Sequence, residues 1–205
     1  PADLRLTGSG VLNEFEGLLL ADTPYSLLAQ ALQLEPPASS YAAHRQRVLY
    51  GFSQLRNAAQ IPGPKLVFAH LVTPHPPFVF NAQGEPQDPP RAYAMGDGDD
   101  YGGTLDEYRQ GYAGQVQFAN RKLEGAIDAL LENSQTPPVI ILQGDHGPAS
   151  FSNWDDATPS QLVERMAILN ACLIPTDSTG PAWYDSISPV NTFRLVFARV
   201  FDQNL

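Results

Sequence analysis

Two short apolar runs, each fenced by prolines, constrain this chain more than any other feature. Lys65 to Leu71 (KLVFAHL) lies between Ile61-Pro62-Gly63-Pro64 and the prolines at 74, 76 and 77. Val139 to Leu142 follows Pro137-Pro138 and runs into Gly144. Proline fixes φ and lacks an N–H, so it breaks helices and is excluded from central strands. What remains between the prolines is short and mostly apolar, which reads as strands buried on both faces, as in parallel sheets. Met166 to Ile174 (MAILNACLI) reads as a third strand.

Helical spacing fills the intervals. Thr23-Pro24 opens a helix carrying Leu27, Leu28, Ala31 and Leu32 and closed by Pro36-Pro37; before it, only the short apolar run Leu18–Ala21 stands out. A longer helix covers Tyr41 to Ala59, with Val48, Leu49, Phe52 and Leu55 as its stripe. Asp106 to Leu131 repeats the pattern through Tyr112, Val116, Ala119, Leu123 and Ile127. Shorter helices follow near Pro159–Arg165, with Thr158 as N-cap, and from Ser188-Pro189 to about Phe201. The alternation predicts an α/β fold, a mostly parallel sheet flanked by helices, with few strands for a complete domain. Residues 73–104, rich in Pro, Gly and Asp, form a long loop, and loops of that length are usually functional or mobile.

At 205 residues the chain can bury one sizeable core, and 43% hydrophobic with 17% charged residues is ordinary for a globular protein. The net charge of -10, with 12 Lys and Arg spread along the chain, argues against a nucleic-acid partner. The single cysteine, Cys172, allows no intrachain disulfide and reads as a small buried hydrophobe. No apolar run reaches the roughly 18 residues that span a bilayer. Without an initiator methionine at Pro1, and with an apolar helix near the end, the chain reads as a piece of a longer protein.

Ligands bind outside the carboxyl ends of strands in open parallel sheets. Two expected strands end there in titratable side chains. The first ends at His70 and continues Val72-Thr73-Pro74-His75-Pro76-Pro77-Phe78. Thr73, His75 and Pro76 each precede proline, which stiffens the loop and can hold the His75 imidazole in place; the alternative is an ordinary loop histidine. His70, inside the strand, is more often a satisfied core histidine than a functional one. The second strand ends in Gly144-Asp145-His146-Gly147, whose oxygen and nitrogen donors suit Zn²⁺ or Mn²⁺. The alternative is an Asp–His hydrogen bond with no metal. The flanking glycines allow a sharp turn that lets the two side chains converge. Asp97, Asp99 and Asp100 lack the full calcium-loop pattern and read as a solvated acidic loop. Asp155-Asp156 read as the approach to a helix, and nothing supports a nucleophile role for Thr7 or Ser9.

Together, HLVTPHPPF (70–78), YRQGYAGQVQFANRKLEGAIDALL (108–131) and VIILQGDHGP (139–148) resemble the sulfatase-like branch of the alkaline phosphatase superfamily. SISPVNTFRLVFARVF (186–201) resembles the helix after the last sheet strand in its membrane-anchored members, such as lipoteichoic acid synthase and phosphoethanolamine transferases. The similarity covers roughly residues 40 to 205.

The resemblance implies one sulfatase-like, alkaline phosphatase-like α/β domain over residues 1–205, partial, without the N-terminal part that bears the nucleophile. It implies a divalent metal (Mn, Zn, Ca or Mg) in the parent protein, held in part by Asp145 and His146 and bound weakly or not at all by this chain. His75 becomes the catalytic, substrate-contacting histidine, with His70 beside it as a second substrate contact. The nucleophile of the family, a Thr, Ser or formylglycine, has no counterpart here. The parent would act as a metal-dependent hydrolase or transferase on phosphate or sulfate esters, extracytoplasmic and membrane-tethered. The other reading is a non-catalytic remnant or interaction module that keeps the fold.

Overall fold

The computed structural model describes residues 3–6, 40–150, 156–174, 184, 186–201 and 203. The helix expected from Pro24, the run Leu18–Ala21, Thr7, Ser9 and Asp155 lie outside these residues. Helix α1 spans Tyr41–Asn57 and tightens into a 3₁₀ turn at Ala58–Gln60. Ser40 caps it, its hydroxyl accepting from the Ala43 N–H at 3.1 Å. Helix α2 spans Leu105–Asn133. Its start is a reciprocal cap: the Thr104 N–H donates to Glu107 Oε2 at 2.7 Å, and the Glu107 N–H to Thr104 Oγ1 at 3.2 Å. Strand β1 is Ile140–Gln143, helix α3 Pro159–Met166, strand β2 Asn170–Leu173 and helix α4 Pro189–Val200.

The core lies between α1, α2 and the start of the long loop. Val48 and Phe52 of α1 meet Phe118 and Ala119 of α2, and Val79 and Phe80 of the loop fill the space between. Phe118 stacks on Phe80 with ring centroids 4.1 Å apart and takes the edge of Phe52 at 6.2 Å. Burial of a ring this size is worth roughly 1.5–3 kcal/mol. The buried face of α2 runs Tyr108, Gln115, Phe118, Ala119 and Ala126. Of the stripe expected from the sequence, only Ala119 is fully buried; Tyr112, Val116, Leu123 and Ile127 sit half-buried beside it. On α1, Val48 and Phe52 are buried while Leu49 stays exposed.

The predicted α/β architecture with a mostly parallel sheet is overturned. Among the described residues the sheet has two strands, and β1 pairs with β2 in antiparallel register, Ile140 opposite Leu173 and Gln143 opposite Asn170. The run Lys65–Leu71 joins no sheet; its backbone is irregular, and Leu66 and Phe68 are 91% and 90% exposed. The physical reason is that an apolar run encodes a wish for burial but not a ladder partner. The connection that carries α3 brings β2 back beside β1 in the opposite sense. β1 and β2 are accordingly half-buried to exposed, not buried on both faces, and Cys172 in β2 is half-buried. No helix among the described residues is long and apolar enough to cross a membrane.

Candidate functional site

His75 is held from below by the core of α2. The loop around it contains two cis X-Pro peptide bonds, at Thr73-Pro74 and Pro76-Pro77. Gln115, fully buried, accepts from the Val79 N–H at 2.7 Å and the Phe80 N–H at 3.2 Å through Oε1. Its Nε2 donates to the His75 carbonyl at 3.2 Å. One amide thus satisfies three backbone groups that would otherwise be buried without partners, and it fixes the loop on both sides of Phe78. The His75 ring lays Nδ1 against the Pro76 carbonyl at 2.6 Å, which leaves Nε2 directed elsewhere.

Asp145 and His146 follow β1 directly. The Gly144 N–H extends the ladder by one bond, donating to the Leu169 carbonyl at 2.9 Å. Asp145 Oδ1 then accepts from the His146 N–H at 3.0 Å. The His146 ring places Nδ1 3.0 Å from the Gly147 carbonyl, and Nε2 sits 3.5 Å from Asp145 Oδ2. Burial works against ionisation of Asp145, but the charge of a protonated His146 and the His146 backbone N–H outweigh it and hold the carboxyl below the usual carboxylate range. His70 adds a smaller pull in the same direction.

These groups share one cleft. His70, Thr73, His75, Asp97, Tyr108, Tyr112, Asp145 and His146 line a cavity of about 100 Å³, enough for a few waters. The His75 and His146 rings approach edge-on across the cleft, with centroids 6.5 Å apart and planes inclined at 64°. His70 reaches this cleft as an exposed residue, not as the core histidine that a buried strand implied.

The remaining wall escaped the sequence reading. Asp97 is no solvated loop residue: its side chain is 15% exposed and pairs with Arg165, Oδ2 to Nη1 2.9 Å. Asp97 Oδ1 accepts from the Tyr108 hydroxyl at 2.8 Å, and that hydroxyl accepts from the Ala149 N–H at 2.8 Å. Burial raises the Tyr108 pKa, the Ala149 N–H opposes the rise and Asp97 adds to it, so the group stays a phenol and remains a donor. No local pattern in the sequence marks Asp97, Tyr108 or Arg165 for this wall, because their partners are distant in the chain.

Asp145 Oδ2 and His146 Nε2 have the donor types and spacing of two ligands on one divalent ion, and an Nδ1–H tied to a carbonyl is the usual outer support of a ligating imidazole. The residues therefore fit a metal as part of its shell. No cluster of three or more His, Cys, Asp or Glu among the described residues is arranged to complete it. No protein-family model matches the chain, and no curated protein or solved structure matches it.

Proposed function

We propose that this chain contributes the cleft of a metal-dependent hydrolase or transferase for phosphate or sulfate esters, of the sulfatase-like kind that its motifs resemble. The observation that carries the reading is the grouping at the cleft: His146 Nε2 beside Asp145 Oδ2 at 3.5 Å, with His75 across the cleft at 6.5 Å between rings. Asp145 and His146 would hold the ion, which when bound supplies positive charge against the ester's oxygens. His75, with Nδ1–H anchored on the Pro76 carbonyl, would in its protonated form donate Nε2–H to a nonbridging oxygen or pass that proton to a leaving-group oxygen. Tyr108 and Tyr112 wall the cleft against bulk water. Two protein ligands are fewer than the three a catalytic zinc normally uses, so binding by this chain alone is weak.

The test is a Mn²⁺ titration of the isotope-labelled chain followed by inorganic phosphate and sulfate, read as residue-specific line broadening. Broadening centred on Asp145 and His146, extending to His75 and altered by the oxyanion, supports the reading. Broadening confined to the acidic Asp99–Asp100 stretch, or none in the cleft, overturns it.

A second reading, an interaction module, draws support from Leu66 and Phe68, 91% and 90% exposed. It requires self-association or partner binding that a Leu66→Ser, Phe68→Ser double variant abolishes, with a cleft that takes neither Mn²⁺ nor phosphate.

A further inference from the structure

Arg165 lies at the end of α3, and its guanidinium reaches back to the cleft. Its Nη1 donates to the Gly147 carbonyl at 2.8 Å and to Asp97 Oδ2 at 2.9 Å. Its own backbone carbonyl accepts from the Gly147 N–H at 2.7 Å. Two residues on, the Ala149 N–H is held by the Tyr108 hydroxyl, which donates to the other oxygen of Asp97. The loop after β1 is therefore gripped at successive points by groups from α2 and α3, and both grips meet on one carboxylate. The Gly147 carbonyl is also the acceptor that faces His146 Nδ1.

We propose that Asp97 and Arg165 are positioning residues for His146: the ion pair fixes the Gly147 carbonyl, which keeps the imidazole proton on Nδ1 and leaves Nε2 bare toward Asp145 Oδ2 and His75. In a neutral imidazole, the hydrogen bond made by one nitrogen decides which nitrogen carries the proton. A carbonyl free to rotate would let the proton move to Nε2 and close the only ring position that faces the cleft. An ion pair with side chains 17% and 15% exposed adds little net stability over apolar packing, because desolvation offsets its attraction. Its consequence is geometric. The proposal rests on the ligand-site reading of the cleft only for its purpose; the state of the ring is measurable without it.

The experiment is long-range imidazole ¹H–¹⁵N correlation at neutral pH on the 205-residue chain, with Mn²⁺ broadening of the same resonances as a second readout. The wild-type His146 ring should show the proton on Nδ1. Arg165→Met and Asp97→Asn should shift it toward the Nε2–H form, with cooperative unfolding retained, and weaken Mn²⁺ broadening about 10-fold or more, the usual cost of losing an outer support. Arg165→Lys, which restores a donor and the charge, should recover part of both signals. If Arg165→Met does not fold, Arg165→Lys and Tyr108→Phe carry the comparison, each expected to show a smaller shift in the same direction. An unchanged tautomer in folded Asp97→Asn and Arg165→Met, or in both milder variants, overturns the proposal. A tautomer shift in a chain whose wild type shows no Mn²⁺ effect upholds the clamp and removes the metal reading. Wild-type broadening with a tautomer indifferent to all variants removes the clamp alone.

Discussion

His75 and His146 approach each other edge-on across the cleft in the same local arrangement, each laying Nδ1 against the carbonyl of the residue that follows it, Pro76 at 2.6 Å and Gly147 at 3.0 Å. Neither ring needs the other to satisfy its inner nitrogen, and the outer nitrogen of His146 lies beside Asp145 Oδ2 at 3.5 Å. A ring whose structural role ends with one local bond contributes little to folding. His75→Ala is expected to change unfolding free energy by less than about 1 kcal/mol, as surface-loop substitutions do. Urea unfolding measures this, and a loss of several kcal/mol would make His75 a structural residue and weaken its assignment to the cleft.

The opposite holds for Gln115. Replacing it with leucine keeps the volume but strands the Val79 and Phe80 N–H groups and the His75 carbonyl. An unsatisfied buried polar group costs about 1–3 kcal/mol, so Gln115→Leu should destabilise by about 3 kcal/mol or more and disturb the His75 resonances. A near-neutral denaturation midpoint for this variant would show that water replaces the amide without loss.

These two cases also separate what was legible in the sequence from what was not. Helix positions were legible because their signals are local: the Pro137-Pro138 stop, the apolar spacing of α2, the proline at the start of α3 and α4. His75 and Asp145 each lie just past an apolar run, which is why one cleft was expected for them; His70, inside its run, read as a core histidine. The sheet was not. KLVFAHL and VIILQ both read as strands, yet partner choice is a non-local matter, and the structure pairs only the second, antiparallel to residues 170–173. Gln115, Tyr108, Asp97 and Arg165 were illegible for the same reason. Gln115 acts across 36 residues and Arg165 across 68, and neither shows a periodicity that predicts its target.

His44 is expected to shape the acid response of the fold. It is 2% exposed on α1, with Nδ1 3.0 Å from the Tyr93 hydroxyl. Burial lowers its pKa from 6.5 to about 4; Arg47, His75 and Arg45 push the same way and only the Val72 backbone resists. The unfolded imidazole takes its proton near pH 6.5 and the folded one only near pH 4, so between these values the unfolded chain binds more protons. Stability from this group is therefore whole above pH 6.5 and drains as the pH falls toward 4, by about 3 kcal/mol in total. Urea midpoints recorded across that range should fall more steeply for wild type than for His44→Gln. Parallel curves would mean that the buried ring does not control the acid response.

The two glycines that flank Asp145-His146 offer the sharpest test of how this site is built. By sequence they look equivalent, a pair of hinges that lets adjacent side chains converge. Neither has a positive φ; among the described glycines that geometry occurs at Gly63, Gly84, Gly98 and Gly102. A Cβ on Gly144 would meet its nearest neighbours at 3.7 Å, ordinary contact. A Cβ on Gly147 would stand 2.1 Å from the Glu164 carbonyl oxygen and 2.9 Å from that of Ala167. These are backbone atoms at the end of α3, unable to swing aside as a side-chain tip could. Gly147 is glycine because α3 presses against it, close enough for its N–H to bond Arg165 at 2.7 Å. Gly147→Ala must push the loop and α3 apart, losing that bond and the Arg165 grip on its carbonyl. The expected loss is about 2–4 kcal/mol, in the range of overpacking combined with a broken buried bond. Gly144→Ala should stay within about 0.5 kcal/mol of wild type. Thermal unfolding of the two variants, with a crystal structure of each, checks both halves. Equal tolerance at the two positions would mean that the approach of α3 is soft, and the clamp on His146 would lose its rigid floor.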